Sequence, residues 1–368
     1  MPALTGLTDA IAKLAPWDLA ESWDQVGLQI DSRRSMVSKL FVALDLNQQI
    51  LEEGLKHQVD GFLVHHPLIF KPLQRLSYRN ETEKLVIALL EHDLFLIAAH
   101  TNVDKAKHGL NQYLAEKLSL ENIKPLAVVE NYTYKVIVFS PETHLEKIRD
   151  AMSQAGAGLI GDYQKCSFES SGSGAFESSK SAHPFIGTPG IFERVPEIRL
   201  EMMVEKNSLS RVIQAIYQNH PYEEPVFDIY PLVNSSVHGL GRIGDLKFAA
   251  TFEEFGRLVK KELCCEHIQV AGDLSRPIKK VALCSGSGRE LLNQAIKQQA
   301  DLYLTGELNY HDFIAARENG LAVIAAGHGG TEHCFVDLMA DYLNWYFKSE
   351  KKFEVIKGKS QAEPYLTL

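Results

Sequence analysis

Gly61-Phe62-Leu63-Val64-His65-His66-Pro67 is the stretch on which the reading of this chain turns. Four apolar residues without alternation read as a strand buried on both faces. The two histidines stand at its carboxyl end, and Pro67 stops it. Open α/β sheets bind ligands at the carboxyl ends of their strands. Adjacent side chains on a strand point opposite ways, so His65 and His66 can serve two neighbouring metal ions. Taken alone, the pair fits a helix-capping or core-edge position equally well.

Outward from this strand, the same plan recurs. Leu40–Leu44 is an apolar run ending at Asp45, with a helical stretch from Gln48 to His57. Glu83–His92 has helical spacing, and Leu94–Ala99 is another apolar strand, ending in His100-Thr101-Asn102-Val103-Asp104. Helices are also expected over Leu7–Ala15, where Pro16 stops the chain, and over Gly109–Lys117. In the last third, Ile278–Leu283 ends in Cys284-Ser285-Gly286-Ser287-Gly288, and Leu302–Leu304 ends in Thr305-Gly306-Glu307. Leu321–Ala326 ends in Gly327-His328-Gly329-Gly330-Thr331-Glu332. Helices are expected over Glu290–Gln299 and His333–Phe347. Strands alternating with helices mean βαβ units and mostly parallel sheets.

The two parts look like copies. Val42-Ala43-Leu44-Asp45 matches Val281-Ala282-Leu283-Cys284, Phe62–His66 matches Tyr303–Glu307, and Ile97–His100 matches Ile324–Gly327. Buried strands that merely reuse Val, Ile, Leu and Ala are the alternative. The shared order favours duplication. The expected fold class is α/β: two similar lobes with mostly parallel sheets facing a shared cleft. Residues 1–129 and 236–368 form this core, and 130–235 form an inserted α+β domain. Within the insert, Tyr134–Phe139 and Ile198–Val204 alternate like strands, Leu209–Gln218 reads as a helix, and Gly156–Gly190 is rich in Gly and Ser.

Composition bounds the function classes. The chain has 368 residues, enough for two or three domains, with 45% hydrophobic and 23% charged residues. A net charge of -9 argues against a broad nucleic-acid surface. Five cysteines and no CxxC pair fit a reducing cytosol. No signal-like start and no membrane-length apolar run are present, so a cytoplasmic protein is expected.

The chemistry gathers at the strand ends: His65, His66, His100, Asp104, Glu307, His311, His328 and Glu332. His328 and Glu332 are four apart, so an early helix start puts both on one face. A carboxylate shared by two ions with imidazoles completing each shell activates water near neutral pH. Imidazole suits Zn, Fe, Ni and Cu, and carboxylate also suits Mn and Mg, so the ion is open. Buried polar packing is the alternative. Asp45 either orients a ligand or caps a helix. Trp23-Asp24 either supports the site or belongs to the core. Ser285–Gly288 is either a phosphate cradle or a tight connection. His220 with Glu223-Glu224 is either a second metal group or a turn with solvated acids. The charged stretch Lys348–Lys359 reads as a solvated face or edge.

Three motifs together, His65-His66-Pro67, His100-Thr101-Asn102-Val103-Asp104 and Ala326-Gly327-His328-x-x-Thr331-Glu332, resemble the Ngg-one-interacting-factor-three-like family. Its members are widely labelled GTP cyclohydrolase 1 type 2 homologs. Trp23-Asp24-Gln25-Val26-Gly27-Leu28 and Thr305-Gly306-Glu307 also resemble its motifs. Two departures stand out: Gly329-Gly330 where a larger residue and alanine are usual, and Glu307 where aspartate is frequent. The resemblance implies a toroidal homohexamer and a dinuclear centre with two divalent ions per chain (Zn, Fe, Mn or Ni). Carried over, its metal ligands are His65, His66, Asp104, His328 and a bridging Glu332, with His100 a candidate for proton transfer or substrate contact. Gly158–Tyr163, Pro184–Gly187 and His220–Glu224 resemble the PII/CutA-like middle domain of longer bacterial members, which implies a ferredoxin-like cap on the ring that either binds a small regulator or is a cover or trimer contact with no ligand. The implied activity is a metal-dependent hydrolase acting on a nucleotide. The competing expectation is a non-enzymatic metal-binding scaffold or regulator working through protein partners.

Overall fold

Residues 1–129, 133–161, 163–233 and 237–358 are described by the computed structural model. They divide into two compact units, Met1–Val128 with Val237–Leu368, and Val129–Ser236.

The first unit opens with α1 (Leu4–Leu14), whose Leu7, Ala10 and Ile11 are fully buried. Strands β1 (Gly27–Ile30) and β2 (Lys39–Ala43) follow. Helix α2 (Gln48–His57) starts where the Asn47 side chain accepts the Ile50 N–H, and ends at Gln58 in the left-handed conformation. Next come β3 (Gly61–Val64), α3 (Glu81–Glu91) and β4 (Phe95–Ala98). Two short helices, α4 (Thr101–Lys105) and α5 (Leu110–Lys117), lead into β5 (Leu120–Val128).

The second unit runs β6 (Thr133–Ser140), α6 (Leu145–Gln154), β7 (Ser167–Glu177), β8 (Phe192–Glu205), α7 (Lys206–Asn219) and β9 (Phe227–Pro231). Its sheet has the order β7-β8-β6-β9, antiparallel throughout. Val136, Val138, Leu200, Met202 and Val204 pack against Ile148, Met152, Val212 and Ile216 of the two helices.

The chain then returns to the first unit through β10 (Gly239–Thr251), which pairs antiparallel with β5. Helix α8 (Phe252–Glu262) is started by a capping box of Thr251 and Glu254. Then follow β11 (Gln269–Ala271), β12 (Pro277–Cys284), α9 (Leu292–Lys297), β13 (Leu302–Thr305) and α10 (Tyr310–Glu318). The last elements are β14 (Ala322–Ala325), α11 (His328–Glu332), α12 (Cys334–Tyr346) and β15 (Glu354–Lys357).

Two sheets result, ordered β1-β4-β3-β2-β15 and β11-β14-β13-β12-β10-β5. Each holds a parallel triplet, β2-β3-β4 and β12-β13-β14, with an antiparallel strand beyond the third, and in the first sheet the edge strand β15 adds a fourth parallel neighbour to β2. The fold is therefore mixed α/β, with antiparallel strands flanking its parallel cores. Strands β3, β4, β13 and β14 are buried along their whole length, which is why their sequences do not alternate.

The pairing register corrects one sequence match. Ala43 lies opposite Val64, and Cys284 lies opposite Thr305. With Val64 and Thr305 equated, Cys284 is the counterpart of Ala43, not of Asp45. The slip is two residues, so every side chain keeps its face, and an apolar pattern cannot detect it. Other differences have equally local causes. The expected helix Glu290–Gln299 splits into a 3₁₀ turn, Arg289–Leu291, and α9. The Gly/Ser-rich Ser170–Gly174 lies inside β7, where ladder pairing to β8 overrides low strand propensity.

Candidate metal centre

Both sheets end their parallel strands at one cluster of side chains. His65 and His66 follow β3, His100 and Asp104 follow β4, and α11 after β14 carries His328 and Glu332. Asp104 and Glu332 are each on a five-residue helix that begins within three residues of a strand end. The i,i+4 spacing puts His328 and Glu332 side by side, with Nε2 and Oε2 3.2 Å apart.

The outward nitrogens of the histidines are tied back. His65 Nδ1 is 2.9 Å from the Ala99 carbonyl oxygen, and His66 Nδ1 is 2.8 Å from Asp45 Oδ1. His100 Nδ1 is 3.0 Å from Asp24 Oδ1, and His328 Nδ1 is 3.4 Å from Glu307 Oε1. A backbone carbonyl or carboxylate at Nδ1 holds the proton there, leaving Nε2 with a free lone pair, as in metal-bound imidazoles.

Glu332 sits at the centre. Its Oε1 is 3.7 Å from His65 Nε2, and its Oε2 is 3.0 Å from His66 Nε2. Asp104 Oδ1 lies 3.8 Å from His65 Nε2. Two of these atoms, His65 Nε2 and Asp104 Oδ1, are buried and make no hydrogen bond, and the third, the equally buried Glu332 Oε2, faces the imidazole nitrogens of His66 and His328. Each such atom costs about 1–3 kcal/mol, and buried carboxylates cost more unless paired or coordinated. Three aimed at one spot fit a cation better than they fit each other. Two groups of donors lie within 4.8 Å: His65 with His66 and His100, and His66 with His328 and Glu332.

Electrostatics follow from this packing. Burial pushes the Asp104 carboxyl up, and the nearby Glu332 charge adds to that, against the pull of His65. Burial would also raise Glu332, but the surrounding His65, His328 and His66 hold it well below the carboxylate range. His66 is raised to about 10: burial opposes its charge, and the bonds to Asp45 and Glu332 outweigh it. His328 is raised to about 9, chiefly by Glu332. Asp24 is lowered to about 2, because bonds from His100 and Thr101 outweigh its burial.

The scaffold around the cluster includes residues that sequence reasoning missed. Asn111, fully buried, donates to the Asp104 carbonyl at 3.1 Å and accepts the Ser285 N–H at 2.8 Å, so it staples α4 to the loop after β12. Gly286 has φ +59, and a Cβ there would collide with Glu332 Oε1. Arg242, only 1% exposed, donates to the carbonyls of Ala106 and Lys107 just beyond α4. Only the spacing-free identity of Asn and Gly marks the first two in sequence, and neither stands out.

The other residues singled out fall as follows. Asp45 and Asp24 both brace a cluster histidine, and Trp23 is exposed rather than core. Glu307 reaches His328, whereas His311 lies exposed on the first turn of α10, outside both donor groups. The phosphate-cradle reading of Ser285–Gly288 is not supported. Its amides at Ser285, Gly286 and Gly288 are taken by Asn111, Thr331 and Thr305. Both ring nitrogens of His220 are engaged, by the Phe139 carbonyl and the Tyr222 N–H, so it is a turn residue. Cys284 is buried and its thiol pushed well up by that burial, which leaves it inert. Of Lys348–Lys359, Lys359 lies outside the described residues.

Fold and site define a mixed α/β protein whose strand ends carry a His/Glu cluster able to hold metal ions. The chain belongs to the Duf34/NIF3 (NGG1p interacting factor 3) family, whose model matches residues 2–364. It is 35% identical over 354 residues to a "GTP cyclohydrolase 1 type 2 homolog" of Halalkalibacterium halodurans, covering 95% of each chain. The protein of the same name from Bacillus subtilis is 38% identical over 320 residues, covering 86% of this chain and 85% of that one. Among solved structures, a Bacillus cereus protein related to NIF3 superposes with TM-score 0.84 at 34% identity, covering 100% of this chain and 99% of the other. Staphylococcus aureus protein SA1388 gives TM-score 0.81 at 29% identity, with the same coverage.

Proposed function

We propose that the cluster is a dinuclear divalent-metal centre and that the protein is a metal-dependent hydrolase. The observation that carries this is the convergence of the unpartnered His65 Nε2 and Asp104 Oδ1 with the buried Glu332 carboxylate, which His65, His66 and His328 surround. Glu332 divides the donors, with His65, and Asp104 beside His65, toward Oε1, and His66 and His328 near Oε2. That division supports Glu332 as the bridging ligand and His65, His66, Asp104 and His328 as terminal ones. Two divalent ions held by these residues would lower the pKa of a bound water enough to provide hydroxide near neutral pH. His100 belongs with His65 and His66 by distance, and Asp24 fixes its ring, so it is placed to move a proton at Nε2.

GTP as substrate is supported by the relatives' name alone. The test is formate release from GTP by metal-loaded protein, with His65→Ala and Glu332→Ala as controls. The expected result is metal-dependent turnover that both substitutions abolish. Two ions per chain without turnover would leave the scaffold reading in its place. No helix among the described residues is long and apolar enough to cross a membrane. A cytoplasmic homohexamer is part of the same proposal, checked by light scattering. The matching parallel triplets support a duplicated lobe, and the β-α-β-β-α-β order of the second unit supports a ferredoxin-like insert.

A further inference from the structure

One side of the cluster is lined differently from the other. Behind His66 and His328 stand the half-exposed carboxylates Asp45 and Glu307. Beside His100 stands an aromatic pair. The Trp23 ring centroid lies 6.1 Å from that of His100 and 5.7 Å from that of Phe70. Trp23 is 53% exposed and Phe70 46%. The ring planes meet at 68° and 43°, so neither neighbour lies flat on the indole.

The chain next to each ring is tied down: beside Trp23 by bonds that also build the site, beside Phe70 by a side-chain clamp. Asp24, next to Trp23, holds His100 Nδ1 and accepts the Thr101 N–H and Oγ1–H. Gln29 on β1 clamps the segment carrying Phe70 in both directions. It donates to the Ile69 carbonyl at 2.9 Å and accepts the Ile69 N–H at 3.1 Å. A large apolar side chain left bare beside a polar cluster, on a segment anchored next to it, calls for a reason. A bare indole is costly surface unless something covers it.

We infer that Trp23 and Phe70 form a stacking platform that binds a planar conjugated ring and presents it to the cluster past His100. A ring with a π-face stacks on an indole with little regard to its substituents, which makes the pair a recognition element for heteroaromatic ligands. The carboxylates of Asp45 and Glu307, paired with His66 and His328, offer a ring face nothing to stack on. The inference deepens the proposed function by giving the substrate its class, and it rests on that reading only for the reaction. Stacking itself needs no ion.

The test is equilibrium dialysis with guanosine and with pterin as planar probes, and ribose 5-phosphate as a ringless one. Chelator-treated and metal-loaded full-length protein are both used, with metal content measured in parallel. The expected result is saturable binding of at least one planar probe in both forms, and none of ribose 5-phosphate. Trp23→Leu and Phe70→Leu should each weaken binding on the order of tenfold, and Trp23→Phe should restore most of it. Thermal melts of the variants separate lost binding from lost fold. Unchanged affinity in folded Trp23→Leu, or no saturable planar binding, overturns the platform. Ring binding by a protein that takes up no metal keeps the platform and removes the proposed centre. Metal uptake without ring binding does the reverse.

Discussion

His66 shows how much of this centre lies behind the donor atoms. Its Nδ1 is held by Asp45 and its Nε2 faces Glu332. Replacing Asp45 with Asn removes the charge that holds the ring, so metal affinity should fall about 10–100-fold, read by chelator competition. The ion-free protein should also respond to pH. His66 at about 10 and His328 at about 9 lie above the 6.5 of the unfolded chain. Their contribution is full below pH 6.5 and is lost as pH rises through 9 to 10. Melting of chelator-treated protein should therefore fall across that window. Metal affinity should rise over the same range, because bound imidazole must be neutral. His65, His66, Asp104, His328 and Glu332 are visible in the sequence as polar residues stranded after apolar runs. Asn111 and Gly286 are not, since each acts through a neighbour that only folding supplies.

At the scale of elements, the short helix α11 depends on the loop after β12. Gly286 lies against Glu332 and His328, and its N–H is accepted by Thr331 Oγ1. A methyl there meets both the left-handed backbone and the Glu332 carboxylate. Gly286→Ala should cost about 1–3 kcal/mol by thermal unfolding and reduce bound metal. A normal metal content in that variant would separate Gly286 from the site. The doubly covered strands are legible because a short unbroken apolar run is stable only where both faces escape water. Strands β1 and β11 are not legible, being short and half exposed, and β7 is hidden by its serines and glycines. The sequence marks helix α11 only as an early start to the long helix after it.

Across the whole molecule, the cluster belongs to one unit. All its residues lie in Met1–Val128 and Val237–Leu368. The second unit leaves at the end of β5 and the chain returns at β10, where Val128 pairs with Gly239. A two- to four-residue turn is about the length that joins such neighbours. Replacing residues 129–236 by a short Asn-Gly-containing turn should leave metal content unchanged and yield a folded protein, checked by elemental analysis and circular dichroism. Loss of metal in a folded protein of this kind would assign the second unit a share in the centre.

Glu332 carries a last consequence, one of timing. It follows His65 and His66 only far along the chain, yet it is the residue on which His65, His66 and His328 all converge. A chain growing from its first residue displays the early histidines long before the carboxylate that completes their surroundings exists. On the proposed ligand set, tight capture of a metal must wait until Glu332 itself has been made and folded against the early histidines. The centre then acts as a checkpoint on manufacture, filled only in copies extended past that residue.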